Sequence, residues 1–258
     1  MPGASRRAAA SVSGEPIISL LRAGKTYPSP AHRAFGPVDL ELHEGECAAL
    51  AGRSGAGKST LARCLAGLET LSEGVRLFHA ENDAVGRRAV QLVFQDSPTA
   101  MNPAWTVLKI LREPLALAGS DASPGRIADL LQSVGLSDDL LTRRPRQLSG
   151  GQRRRVALAR ALAVPGLRVL ILDEPFAGLD TASAQALFSL LAALRKQRRL
   201  AILLITHDLG IVHRLAERLL IMAQGRLVEE LRGPQLAGTA QHEASRALVD
   251  AILPEPPE

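Results

Sequence analysis

The stretch "GRSGAGKST" at residues 52–60 decides how this chain is read. It follows a short apolar run, "CAALA" (47–51), and precedes a helix-forming run, "LARCLAGL" (61–68). Gly52 to Ser59 completes the pattern G-x-x-x-x-G-K-[S/T], and the flanks supply the strand–loop–helix setting in which that pattern binds phosphate. Gly52, Gly55 and Gly57 carry no side chain, and Ser54 and Ala56 carry small ones. Backbone N–H groups can therefore close around the β- and γ-phosphates of a nucleotide. Lys58 reaches the same oxygens as a mobile point charge, the Ser59 hydroxyl suits Mg²⁺, and Thr60 leads into the helix. ATP and Mg²⁺ are the expected ligands.

About ninety residues further on, "QLSGGQRRRVALARAL" (147–162) opens a second run of helix formers with Ser149, Gly150, Gly151 and Gln152. Bare N–H groups at a helix N-terminus, with the macrodipole behind them, make a second anion-binding end. A chain of this size has no evident use for two. The run Arg153, Arg154, Arg155 that follows reads equally as a solvated helix face or as phosphate-directed charge.

Between and beyond these stretches lie three strand-like runs that end in polar groups. "LRVLILDEP" (167–175) ends in Asp173 and Glu174, which strand alternation sends to opposite sides. One carboxylate can hold the water shell of Mg²⁺ while the other orients or deprotonates an attacking water. "LLITHDLG" (203–210) carries His207, which on its own is ordinarily structural, and "LVFQDS" (92–97) carries Gln95, a neutral group able to bind a metal or water.

Composition sets bounds on this. Hydrophobic residues at 46% and charged residues at 22% of 258 describe an ordinary globular chain able to bury a sizeable core. The net charge of +5 is scattered and aromatic residues make up only 3%, which leaves little for stacking on bases, so no nucleic acid is expected. No apolar run approaches the roughly 18–20 residues that span a bilayer. The two cysteines, Cys47 and Cys64, lack metal-type spacing. Cys64 falls on the apolar stripe Leu61, Cys64, Leu65, Leu68, and both read as reduced core residues.

Strand-like runs recur at 17–21, 38–42, 47–51, 74–78, 89–94, 167–172, 201–205 and 218–222, and "AQGRLVEE" turns into a closing strand. Residues 96–164 instead show helical patterning broken by Pro- and Gly-containing loops. The expected organisation is a disordered tail at 1–16, one domain at 17–230 with a helical subdomain inserted at about 96–164, and a short C-terminal tail at 231–258.

Taken in order, "GRSGAGKST", "VFQDS", "LSGGQ", "LILDEP", "AGLD" and "ITHD" resemble the Walker A, Q-loop, signature, Walker B, D-loop and H-loop motifs of an ATP-binding-cassette (ABC) transporter subunit. The resemblance implies an α/β, RecA-like P-loop NTPase fold, a mixed-sheet core with an antiparallel β part and an inserted helical subdomain. It makes Glu174 the catalytic carboxylate and His207 the switch group at the γ-phosphate. Gln95 becomes a residue touching both Mg²⁺ and the membrane partner, and Ser59 and Asp173 the other Mg²⁺ groups. Tyr27 is placed where the family stacks an aromatic ring on adenine, and Asp180 falls in the D-loop, where Phe176 and Gly178 stand in place of the commoner Thr and Ala.

The resemblance also accounts for the second cradle. In the family two cassettes pair head-to-tail, and Ser149, Gly150, Gly151 and Gln152 would hold the ATP bound to the partner's phosphate loop. "MNPAWTV" (101–107) and the tail "HEASRALVDAILPEP" (242–256) are similar to the peptide/nickel importer branch, and "KILREPL" leans toward its nickel or metal-chelate members over di- or oligopeptide importers. That branch implies a second ATPase subunit (a heterodimer before a homodimer), two membrane permeases, an extracytoplasmic substrate-binding protein, and a place on the cytoplasmic face of the inner membrane. Met101, Pro103 and Trp105 are apolar material for a permease groove or for packing within the insert. A soluble cassette ATPase acting on nucleic acid or ribosome fits less well, because one chain carries a single cassette and no sustained heptads.

Overall fold

The computed structural model describes residues 16–79, 88–94, 101–207, 209–232 and 241–250. Residues 1–15, 80–87, 95–100, 208, 233–240 and 251–258 lie outside the described residues, Gln95 among them.

The five apolar residues of β3 (Cys47–Ala51) are all buried, because the strand has a layer on each face. Cys47, Ala49 and Ala51 point into one core cluster, and Ala48 and Leu50 into the other. The same alternation runs through β6 (Val169–Asp173), β7 (Ala201–Ile205) and β8 (Arg218–Ala223), where Leu170, Ile202 and Leu219 go to the first cluster and Ile171, Leu203 and Leu220 to the second. A continuous apolar run thus encodes a central strand. With β5 (Val90–Val93) and β9 (Arg226–Arg232) these form a six-stranded sheet in the order β5-β6-β7-β3-β8-β9, parallel except for the β8–β9 hairpin.

A second sheet, β2-β1-β4, is antiparallel throughout. Strands β1 (Pro16–Pro28) and β2 (Ala31–His43) each run for 13 residues, well beyond the apolar runs at 17–21 and 38–42. Their outer halves carry exposed polar residues and are kept extended by the hairpin ladder and by the bonds of Thr26 with Ser72, so apolar runs understate them. Together with β4 (Glu73–Phe78) they cover the second cluster, which also receives Leu61, Cys64 and Leu65 of α1 (Lys58–Ala66). Arg218 joins the two sheets. It is buried, pairs with Glu46, and donates to the carbonyl of Glu41 on β2, which offsets the cost of burying its charge.

The first cluster is closed by helices α2 (Val107–Leu117), α3 (Pro124–Ser133) and α4 (Gly150–Leu162), by α5 (Thr181–Arg198) and by α6 (Leu209–Leu215). Each helix of the insert starts on a hydroxyl cap. Thr106 accepts from the Lys109 N–H, Ser123 from Arg126 and Ser149 from Gln152. Val107, Ile110, Leu111 and Leu115 of α2 and Ile127, Leu130 and Leu131 of α3 form the buried stripes that hold the insert together. Two described segments lie past residue 230. β9 continues to Arg232, and α7 (Glu243–Asp250) is fastened to it by the Glu229 carboxylate, which accepts from the N–H groups of Gln241 (2.7 Å) and His242 (3.1 Å).

Cys47 and Cys64 are both buried free thiols, and desolvation raises them to about 12 and about 11. At pH 8 the folded protein is therefore expected to resist N-ethylmaleimide, and both thiols to label after unfolding in guanidinium. Rapid labelling of the native chain would show that one of these core positions opens.

Candidate functional site

Strand register brings the polar chain ends together. Leu50 pairs with Ile205 across β3 and β7, and Ile205 pairs with Asp173 across β7 and β6. The residues just past this row, Gly52 after β3, His207 after β7 and Glu174 after β6, therefore emerge at one edge of the sheet. This is the carboxyl edge, where open α/β sheets bind ligands.

The loop from Gly52 to Gly57 is wedged between the sheets. A Cβ on Gly52 (φ 156°) would lie 2.1 Å from the carbonyl oxygen of Met222 on β8, and one on Gly57 (φ 101°) 2.3 Å from that of Ala34 on β2. Ala56 is buried and its carbonyl accepts from the Gly225 N–H, whereas Ser54 and Gly55 are exposed. α1 begins at Gly57 without a side-chain cap, so the first N–H groups of the helix stay free for an anion. Lys58 Nζ donates to the carbonyls of Gly52 (2.7 Å) and Arg53 (3.0 Å). Burial lowers its pKa, against the pull of Glu174 and Asp173.

Burial raises the Asp173 carboxyl pKa, with Glu174 pushing the same way and the nearby Ser59 hydroxyl and Lys58 opposing. Simple alternation does not separate the two carboxylates. β6 ends at Asp173, and Glu174 leaves the strand at φ 49° with its N–H held by Ile205 O (2.9 Å). That left-handed turn aims Glu174 at His207, whose Nδ1 lies 2.9 Å from Glu174 Oε1, while the imidazole is 74% exposed. Lys58, Ser59, Asp173, Glu174 and His207 thus form one cluster.

Ser149, Gly150, Gly151 and Gln152 stand apart from it. The Ser149 hydroxyl accepts from the Gln152 N–H (3.1 Å) and the Gln152 side chain accepts from the Ser149 N–H (2.9 Å), a reciprocal cap that leaves the Ser149 proton free to donate outward. No hydrogen bond links these residues to Lys58, Ser59 or Asp173 among the described residues. Asp180 is also outside the cluster. Its carboxylate caps α5 through the Ser183 N–H and hydroxyl (both 2.8 Å), which hold its pKa down. Gly178 takes φ 69°, where glycine is at ease, and Phe176 is buried.

The arginine run is not a solvated face. Arg153 donates to Leu148 O (2.6 Å), Arg155 to Gly135 O (3.3 Å), and Arg154 lines a small apolar cavity with Gly151, Leu172 and Leu187, where burial lowers its pKa. Met101 is buried, and Trp105 packs half-buried on the core beneath the Lys109 ammonium (4.4 Å from the ring centroid), so within "AMNPAW" these two serve packing while Pro103 is exposed. Tyr27 lies half-buried in β1, its hydroxyl donating to Glu69 Oε2. No motif pointed to Glu69.

The sequence profile for the ABC transporter family matches residues 35–177. The chain belongs to that family. Among curated relatives it is 42% identical over 263 residues to the nickel import ATP-binding protein NikE of Rhodospirillum rubrum, covering 94% of this chain and 93% of that one. It is 45% identical over 231 residues to NikE of Escherichia coli K12, 84% of each. Among solved structures, a dimeric bacterial ABC transporter cassette aligns at a TM-score of 0.75 and 28% identity, over 83% of this chain and 98% of that one. A dimeric post-hydrolysis state of an ATP-binding cassette with ADP and Pi bound aligns at 0.74. This ABC subunit is therefore an ATPase with the cassette fold, and cassettes of the family work as dimers with membrane permeases.

The cassette's glycines divide by cause. Gly52→Ala drives a methyl into a backbone carbonyl and should lower the melting temperature sharply. A Cβ on Gly151 meets nothing within 4 Å, so Gly151→Ala should leave the melting temperature unchanged or slightly raised. Equal melting temperatures for the two variants would overturn this division.

Proposed function

We propose that this cassette is the ATP-hydrolysing subunit of a nickel or nickel-chelate importer, working with a second cassette chain. The observation that carries the pairing is the state of Gly150 and Gly151. Neither has a positive φ, and neither faces an atom within 4 Å of a built Cβ. The cassette's own fold has no need of glycine there, whereas a phosphate of nucleotide held by another chain would need the bare backbone.

In this reading the residues divide the work. Gly52, Ser54, Gly55, Ala56, Gly57, Lys58 and Thr60 form the phosphate cradle, and Tyr27 stacks on adenine. Ser59 and Asp173, two hard oxygen groups beside each other at the carboxyl edge of the sheet, fit Mg²⁺. Bound there, Mg²⁺ would offset charge on the phosphate oxygens. Glu174 orients the attacking water and takes its proton. His207, resting on Glu174 through Nδ1, presents Nε2 to the γ-phosphate. Gln95 is assigned to Mg²⁺ and the permease interface.

Nickel is supported by relatives named for nickel import that align over 84–94% of this chain. Two permeases, an extracytoplasmic binding protein and a place on the cytoplasmic face of the membrane complete the proposal. No helix among the described residues is long and apolar enough to cross a membrane. A permease segment would fit the groove between β5 and the insert, lined by Leu92, Phe94, Leu117 and Val164 together with Arg88, Gln91 and Glu113, where Leu117 is 72% exposed.

Light scattering of Glu174→Gln with MgATP tests the pairing. This variant should bind ATP, turn over ~100-fold more slowly or worse, and form an ATP-dependent dimer, with itself or with its sister cassette. Adding Gly151→Asp, an acidic residue tolerated at a helix N-terminus but repelled by phosphate, should abolish that dimer without unfolding the chain. A dimer indifferent to Gly151→Asp would remove the signature from the interface. For the cargo, deleting the gene should abolish high-affinity ⁶³Ni uptake in the host, and wild type but not Glu174→Gln should restore it. Intact nickel uptake with lost dipeptide uptake would move the cargo to peptides.

A further inference from the structure

We propose that Glu69 is a positioning residue for the nucleotide base, holding the Tyr27 ring and the Lys25 ammonium so that one ring face alone is presented to adenine. The proposal rests on Tyr27 stacking on the base, and it concerns residues that none of the nucleotide motifs contain.

Glu69 follows α1, two residues beyond the helix-ending Gly67, and faces the end of β1. Its Oε2 accepts the Tyr27 hydroxyl at 2.5 Å, and its Oε1 accepts from Arg63 of α1 at 3.3 Å. Lys25 lies 4.0 Å from the same carboxylate, donates to Thr70 O at 2.8 Å, and sits over the Tyr27 ring 5.2 Å from the centroid. The ring is therefore pinned at both ends, by its strand at Cβ and by Glu69 at the hydroxyl. Lys25 covers one π-face and the ring packs half-buried against the second core cluster, so its orientation is fixed, and the face away from Lys25 is assigned to a flat ring. Fixing a tyrosine before the ligand arrives lowers the ordering cost of binding. The carboxylate is partly exposed, and ion pairs of that kind add little to stability. The cluster's effect should thus appear in base binding and not in the melting temperature.

Calorimetric titration of the full chain with MgADP and, as a base-free probe, magnesium pyrophosphate tests this. Glu69→Ala and Tyr27→Phe should each weaken MgADP by roughly 3- to 10-fold, the loss of one charge-assisted hydrogen bond. The double variant should be no weaker than either single one, because both remove the same contact. Glu69→Gln, which still accepts from the hydroxyl, should recover most of the affinity. Pyrophosphate binding and the melting temperature should hold. If Tyr27→Ala weakens MgADP but Glu69→Ala does not, Glu69 has no positioning role although Tyr27 keeps its own. If Glu69→Ala weakens MgADP and pyrophosphate alike, or adds to Tyr27→Phe, it acts through the fold and the proposal fails. If Tyr27→Ala leaves MgADP binding unchanged, the stacking reading itself is wrong.

Discussion

The rest of this cassette depends on how closely β3 and its loop approach their neighbours. Gly52 lies against the Met222 carbonyl and Gly57 against that of Ala34, each too near for any Cβ. One neighbour belongs to the six-stranded sheet and the other to the antiparallel sheet. The phosphate loop is therefore gripped between two independently built layers, and its N–H groups hold their direction without help from a ligand. A larger residue at either position would push the sheets apart before it altered the loop. The glycine pattern of the motif is in this sense a packing requirement first, and the phosphate site follows from it.

The same packing places the acidic and imidazole groups. Because β6, β7 and β3 are parallel, adjacent and in register, their carboxyl ends must coincide, and any polar residue written just past an apolar run arrives at one edge. Asp173 stays on the ladder, where burial and Ser59 govern its charge. Glu174 turns off it at φ 49° and meets His207. That positive φ is a local strain for a non-glycine residue. It is held by the Glu174 N–H bond to Ile205 O and by the loop that follows, and it carries the Glu174 carboxylate toward His207 while Asp173 stays at the strand end.

What could be read in advance follows from whether information is local. Continuous apolar runs such as "CAALA" and "LAILLI" reveal central strands because both faces must be apolar. The long arms of β1 and β2 leave no such trace, since their outer faces are polar and the ladder and the Thr26–Ser72 bonds hold them straight. Motifs identify the cradle and the strand-end acids. They do not reveal that Asp180 is spent on capping α5, that Met101 is buried, or that Glu229 docks a helix after residue 240. Each of those depends on a partner whose identity the local sequence does not constrain.

The N-termini of α1 and α4 are built in opposite ways. α1 starts on Gly57, uncapped, with its free N–H groups facing a loop that the fold itself clamps. α4 starts on Ser149 in a reciprocal cap with Gln152, so its first turn is stable alone, yet Gly150 and Gly151 are left with open space on their faces. A glycine costs a helix about 0.5–1 kcal/mol relative to alanine. At Gly150 and Gly151 the fold itself asks for neither a positive φ nor a close approach, which is why the proposed pairing places another chain's nucleotide there. In that proposal the half-site is internally satisfied and externally open, stable while unpaired and able to close and reopen with nucleotide.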